Sequence, residues 1–96
     1  MKIRKTVTGD TMTLALEGWL DTLAAPDLEA ARSEIGSEIK ALVLDMRGLE
    51  YMSSAGIRQI VSAYQQMGGK LTLKNVSSEI MEVLRITGLD KRLSIE

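Results

Sequence analysis

Two adjacent serines, Ser53 and Ser54, stand just before the clearest amphipathic helix pattern in the sequence. In that pattern apolar residues recur from Ile57 to Met67 at i, i+3, i+4, i+7 and i+10, and a Gly-Gly pair follows. The first turn of a helix has free backbone N–H groups and the positive end of the helix dipole. A serine at this place can carry a covalent phosphate, which such surroundings stabilise.

A simpler interpretation is that Ser53 or Ser54 only caps the helix, which is worth about 1 kcal/mol. Gly56 lies in the same first turn, where a glycine weakens the helix. Close approach of a partner or a phosphate would explain this glycine, and so would tight packing against a neighbouring strand. The residues alone leave these alternatives open.

Two aspartates are expected near the serines. Asp45 follows the apolar run Ala41–Leu44, which predicts a central strand buried on both faces, and residues 46–54 are expected to form a loop. Asp21 follows the second predicted strand, and strand ends of this kind form the usual functional edge of such sheets. The two acids either bind a divalent ion together with a nucleotide or cap the loops that follow them.

Two apolar side chains at the same edge also have two interpretations. Trp19, the only tryptophan, is predicted to lie in a loop. Tryptophan is enriched in binding hot spots but is also common in half-buried packing. Met52, next to the serines, is either a core residue or an adaptable partner contact.

The composition excludes several classes of function. The chain has no cysteine and no histidine, which removes disulfides, thiolate nucleophiles, ordinary zinc sites and a Ser-His-Asp triad. A net charge of −1 and only three aromatic residues give no basis for nucleic-acid binding. No signal peptide or membrane-spanning run is recognisable. We therefore expect a cytoplasmic domain with no catalytic residue, metal or cofactor.

The remaining pattern supplies the elements that position these residues. Alternating residues on both sides of Gly9-Asp10 predict a β-hairpin. A helix is predicted over about 23–36, with Pro26 near its start, Arg32 on its solvent side and Gly36 as its stop. A strand follows over Lys70–Asn75. A third helix is then capped by Ser77 or Ser78 and stopped by Gly88, and Leu93 and Ile95 suggest a last strand. The order ββαβαβαβ predicts an α/β domain with a mixed sheet of about five strands.

In these motifs the sequence resembles the STAS domain, the family of bacterial anti-sigma factor antagonists that also occurs at the C-termini of sulfate transporters. Gly18-Trp19-Leu20-Asp21 resembles the family's Gly-x-Leu-Asp segment before helix 1. The stretch from Leu44 to Ile57 resembles its phosphorylation motif, Asp-Ser-(Ser/Ala)-Gly-Leu after a strand-ending acid. Gly88-Leu89 resembles its helix 3 ending. The resemblance covers residues 1–96 as a single domain and implies three main helices on one face of the sheet.

The resemblance also implies a site. Ser54 matches the phosphoacceptor, with Ser53 as second choice, because Ser53 stands where many members have Asp. Asp45 matches the acid of the central strand, and Ile57 replaces the usual Leu. The implied partner-binding residues are Trp19, Asp21, Met52, Ser53, Ser54, Ala55, Gly56 and Ile57.

The mechanism implied by the resemblance is partner switching by a monomer or weak dimer. The unphosphorylated protein binds an anti-sigma factor that is also a serine kinase of the histidine-kinase-like ATPase class, phosphorylation at Ser54 releases it, and a phosphatase resets it. One alternative is a phosphorylation-independent STAS scaffold within a larger signalling complex. Another is a nucleotide-binding module, for which no phosphate-binding glycine motif is present.

Overall fold

The computed structural model describes all residues from Met1 to Glu96 and confirms the predicted order ββαβαβαβ. A short 3-10 turn, Leu89–Lys91, precedes the last strand. The strands are β1 (Lys2–Thr8), β2 (Thr11–Leu20), β3 (Ala41–Met52), β4 (Leu71–Lys74) and β5 (Ser94–Ile95). The helices are α1 (Ala25–Arg32), α2 (Ser54–Gln66) and α3 (Ser78–Ile86).

The five strands form one mixed sheet in chain order, β1-β2-β3-β4-β5. The first two are antiparallel and are joined by a turn in which Gly9 has a φ of 62°, as the Gly-first hairpin predicts. All other neighbours are parallel. Right-handed crossovers that step in one direction along a sheet place their helices on the same face. No helix is both long and apolar enough to cross a membrane.

The hydrophobic core therefore lies on one side of the sheet. Along β2, the buried residues Met12, Leu14 and Leu16 alternate with half-buried ones. Strand β3 alternates in the same way, with Val43 only half-buried between Leu42 and Leu44. The prediction of a central strand buried on both faces was wrong, because helices cover only one face of this sheet.

The predicted loop over residues 46–54 was also wrong, because β3 continues to Met52. In its second half the buried residues Met46, Leu49 and Met52 are three apart, a spacing that breaks the period-two signal of a strand. Irregularities in the pairing with β2 cause this spacing. At one of them Gly48 packs so closely that an added Cβ would lie 2.7 Å from Cγ of Glu17.

The first helix is shorter than predicted. It begins at Ala25, with Pro26 in its first turn, and ends at Arg32, well before Gly36. The placement of Arg32 on the solvent side was wrong, because this residue is only 8% exposed and contacts α2. The third helix is capped by Ser77, one of the two predicted residues, and Gly88 follows its end with a φ of 78°.

Candidate functional site

The serine pair lies where β3 passes directly into α2. Ser53 is the N-cap residue, with extended backbone (φ −91°, ψ −179°), and Ser54 is the first residue of the helix and is exposed. The backbone N–H of Ser53 donates to the Leu20 carbonyl oxygen at 3.0 Å, which ties the helix start to the end of β2.

The start of α2 has no side-chain cap. Ser53 does not accept a hydrogen bond from the first turn, and its Oγ instead lies 3.5 Å from the Leu20 carbonyl oxygen. The first backbone bond of the helix runs from Ile57 N to Ser53 O at 3.0 Å, so three N–H groups precede it. The first turn also contains no acidic residue. This helix end therefore has N–H groups without an intrahelical acceptor beside an exposed hydroxyl.

Gly56 is explained by packing. A Cβ added there would lie 2.7 Å from the Leu20 carbonyl oxygen, 2.7 Å from Cγ of Met52 and 2.9 Å from Cγ of Leu20. A backbone oxygen cannot move aside as a flexible side chain can, so α2 approaches β2 this closely only with glycine. Of the two open explanations for Gly56, the structure supports tight packing against the neighbouring strand.

The predicted partner-binding residues differ in burial. Met52 and Ala55 are buried, like Gly56, and support the site from beneath. Ile57 is half-buried against the core. The remaining ones reach the surface: Trp19, Asp21, Ser53 and Ser54.

Trp19 lies on β2 near its end, not in a loop, and is 58% exposed. Its ring packs at a tilt against Tyr51, with the centroids 5.4 Å apart. Tyr51 is not recognisable from the sequence pattern, because the shifted register that pairs it with Trp19 leaves no regular periodicity. Leu23 adds a side chain that is 89% exposed, so this edge carries an apolar surface next to the serines.

Asp21 caps the turn that leads into α1. Its Oδ1 accepts from the backbone N–H of Ala24 at 2.9 Å, and its carbonyl oxygen accepts from Ala25 N at 2.8 Å. Of the two roles considered for this acid, the structure shows the loop cap.

Asp45 does not share a site with Asp21. It pairs with Ala15 in the middle of the sheet, whereas Asp21 follows the end of β2, roughly 20 Å further along an extended chain. The expectation that Asp45 ends the central strand was wrong, because the strand continues past it. No cluster of three or more carboxylates suited to a metal ion occurs.

Asp45 instead fastens β3 to the segment after β4. Its Oδ1 accepts from Nδ2 of Asn75 at 2.8 Å and from the backbone N–H of Arg47 at 3.1 Å. The Asn75 hydrogen bond, opposed by partial burial, holds the pKa of the Asp45 carboxyl below its usual value, with help from Arg47 and Lys74.

The comparisons with known proteins identify the family. The STAS domain family model matches residues 2–96, so the chain belongs to the STAS domain family. BtrV of Bordetella bronchiseptica, named provisionally as an anti-sigma factor antagonist, is 32% identical over 84 residues. The match covers 82% of this chain and 72% of BtrV. The expected family is thereby confirmed.

Solved structures show the same fold. An anti-sigma factor antagonist from Mycobacterium paratuberculosis superposes with a TM-score of 0.87 at 22% identity, over 98% of this chain and 83% of that one. The antagonist SpoIIAA in its unphosphorylated form gives 0.76 at 18% identity, over 99% and 87%. Phosphorylated SpoIIAA from Bacillus gives 0.76 at 21% identity, over 99% and 91%.

Proposed function

We propose that this protein is an anti-sigma factor antagonist that works by partner switching, with Ser54 as the phosphorylated residue. Its unphosphorylated form binds an anti-sigma factor that is also a serine kinase of the histidine-kinase-like ATPase class. Phosphorylation of Ser54 releases that partner, and a phosphatase restores the binding form. The name of BtrV and the existence of SpoIIAA in two phosphorylation states support this proposal.

The observation that carries the choice of residue is the uncapped start of α2. Ser54 presents an exposed hydroxyl to a kinase, whereas Ser53 is half-buried beside the Leu20 carbonyl oxygen. After phosphate transfer, three N–H groups without an intrahelical acceptor and the helix dipole lie next to the new charge. The fold can therefore hold the phosphate without rearranging.

Release follows from charge and desolvation. A phosphate adds about −1.5 to −2 charges at neutral pH. The surface that a partner covers here combines Ser54 with the exposed side chains of Trp19 and Leu23 and the carboxylate of Asp21. Burying a phosphate under a partner that fitted a neutral hydroxyl leaves an unpaired charge in the interface, which is costly. A nearby acid adds repulsion.

The test is an affinity capture from lysate of the native host, with ATP-Mg and ADP-Mg in parallel. The baits are wild type, Ser54→Ala, Ser54→Asp and the matched control Ser78→Asp, which places the same charge at the exposed first residue of α3. Each bait is first checked for folding by circular dichroism.

We expect wild type, Ser54→Ala and Ser78→Asp to capture a histidine-kinase-like ATPase, identified by mass spectrometry, and Ser54→Asp to lose it. Incubation of the captured kinase with wild type and ATP-Mg should place phosphate on Ser54. If all baits retain the same partner under both nucleotides, the switch is wrong and a constitutive STAS scaffold replaces it. Phosphate found on Ser53 would overturn the choice of residue alone.

A further inference from the structure

One charged side chain is buried in this protein, that of Arg32 at the C-terminal end of α1. Its Nη1 donates to Oε1 of Gln66 at 2.6 Å, and its Nη2 and Nε donate to Oε1 of Gln59 at 2.8 and 3.3 Å. Gln66 reciprocates, because its Nε2 donates to the Arg32 carbonyl oxygen at 3.0 Å. We call these four hydrogen bonds the Arg32 clamp. They join the last turn of α1 to the middle of α2 at Gln59 and to its C-terminal end at Gln66.

The clamp holds a cation with neutral acceptors. Burial lowers the pKa of the Arg32 guanidinium, and Glu29 opposes that shift, but an arginine keeps its charge in proteins. Both glutamines are amides, so no carboxylate neutralises the guanidinium within the clamp. Burial of a charge is costly unless hydrogen bonds satisfy it. The geometry of α1 against α2 is therefore restricted to positions in which these amides reach Arg32.

Few side chains of α1 are buried. The helix has eight residues, of which only Leu28 and Arg32 are buried, and it packs chiefly on α2. Helices shorter than about 12 residues are marginal by themselves, so tertiary contacts determine their position. Leu28 supplies non-directional burial, whereas the Arg32 clamp supplies direction and register.

We infer that Arg32 is a positioning residue for the partner-binding surface, acting through Gln59 and Gln66. Helices α1 and α2 begin at the same sheet edge, where Asp21 caps the approach to α1 and Ser54 begins α2. A partner that covers both helix starts needs them at a fixed separation. The clamp provides this separation from the opposite end of α1. The inference rests on the proposed function, which makes this edge the contact surface.

The first arm of the test needs no partner. Native-state amide hydrogen exchange, followed by NMR on the full chain, compares wild type with Arg32→Met and Gln66→Leu. The control is Lys5→Met, which removes the exposed ion pair between Lys5 and Glu34 just after α1 (2.9 Å). We expect α1 amides to exchange at least about tenfold faster in Arg32→Met and a few-fold faster in Gln66→Leu. The β3 amides of both variants, and all amides of the Lys5→Met control, should exchange at wild-type rates.

Equal acceleration of α1 and β3 in both variants would mean that Arg32 supports global stability only, which overturns a positioning role. Unchanged exchange of α1 would overturn the clamp itself. Gln66→Leu keeps Arg32 and its bonds to Gln59, so it remains informative if Arg32→Met does not fold.

The second arm measures affinity for the anti-sigma factor that wild type captures. We expect Arg32→Met to bind about tenfold more weakly, and the double variant with Gln66→Leu to bind no more weakly than that, because both changes break the same clamp. A loosened α1 with unchanged affinity would overturn the positioning role. If wild type binds no anti-sigma factor, the proposed function fails, while the exchange data still decide whether Arg32 clamps α1.

Discussion

Two serine pairs begin helices in this protein, Ser53-Ser54 before α2 and Ser77-Ser78 before α3. In each pair the first serine is an extended N-cap residue and the second is the exposed first residue of the helix. Ser77 accepts a hydrogen bond from Ile80 N at 3.2 Å, and the acid Glu79 lies in its first turn. Ser53 accepts no such bond, and the first turn of α2 contains no acid.

The difference lies in what holds each helix start. At the start of α3, Ser77 caps one N–H group and Glu79 places a negative charge in the first turn, as local sequence rules describe. The start of α2 is held by its neighbour, through the bond from Ser53 N to Leu20 O and through the contact of Gly56 with Leu20. A helix fixed from outside keeps its own N–H groups available. The same dipeptide therefore caps its helix at α3 but not at α2, where we propose that Ser54 is phosphorylated.

The largest effect is expected from a substitution that disrupts the close packing of α2 against β2. Gly56→Ala places a methyl group 2.7 Å from the Leu20 carbonyl oxygen. Overpacking of this kind costs about 1–3 kcal/mol, and we expect about 2 kcal/mol because alanine returns part of the loss through helix propensity. Urea unfolding followed by circular dichroism measures the change.

The control for this variant is Ser78→Ala, which changes an exposed residue at the start of α3 and should stay within about 0.5 kcal/mol of wild type. A Gly56→Ala protein as stable as wild type would show that α2 does not depend on close approach to β2. The contrast between the two helix starts would then lose its physical basis.

Much of the fold could be predicted because its signals are local. Alternation predicts the hairpin, the i, i+3, i+4 pattern predicts α2, and a cap at Ser77 or Ser78 with a stop at Gly88 predicts the approximate bounds of α3. The second half of β3 could not be predicted in this way. Its bulged pairing with β2 replaces period two by a spacing of three, and that pairing is a tertiary property.

Part of the candidate site could also be predicted from local sequence signals. The serine pair is recognisable from its position before the α2 pattern and Asp21 from its position after a predicted strand, whereas the choice of Ser54 comes from the family resemblance. Tyr51 and Arg32 were missed or misplaced because each depends on a residue distant in sequence, Trp19 and Gln66 respectively. A polar residue on a short helix ordinarily faces solvent, and nothing in the local sequence indicates that two glutamines of α2 would receive Arg32.

A smaller effect sharpens the contrast between the serine pairs. Ser77→Ala removes the acceptor of the Ile80 N–H and should lower the free energy of unfolding by about 1 kcal/mol. Ser53→Ala removes no cap bond, so we expect a loss below about 0.5 kcal/mol. Both variants are measured by urea unfolding under identical conditions. Equal losses would mean that Ser53 caps α2 in solution, and the difference between the two helix starts would disappear.

The smallest effect concerns the hydrogen bond between Asp45 and Asn75, which fastens β3 to the segment after β4. Asp45→Asn removes the carboxylate that Asn75 binds and should lower stability at pH 7 by about 0.5 kcal/mol, a low figure because Asp45 is partly exposed. The pKa of Asp45 is lowered in the folded state, so its contribution is complete above the ordinary carboxyl pKa of about 3.9 and is lost as the pH falls through the folded value. Unfolding free energies of wild type and variant should therefore converge on acidification.

The control Asp10→Asn removes the same charge from an exposed turn. If wild type and Asp45→Asn still differ in unfolding free energy at low pH, the loss comes from packing. The charge of the Asp45 carboxylate would then not fasten β3 to the segment after β4.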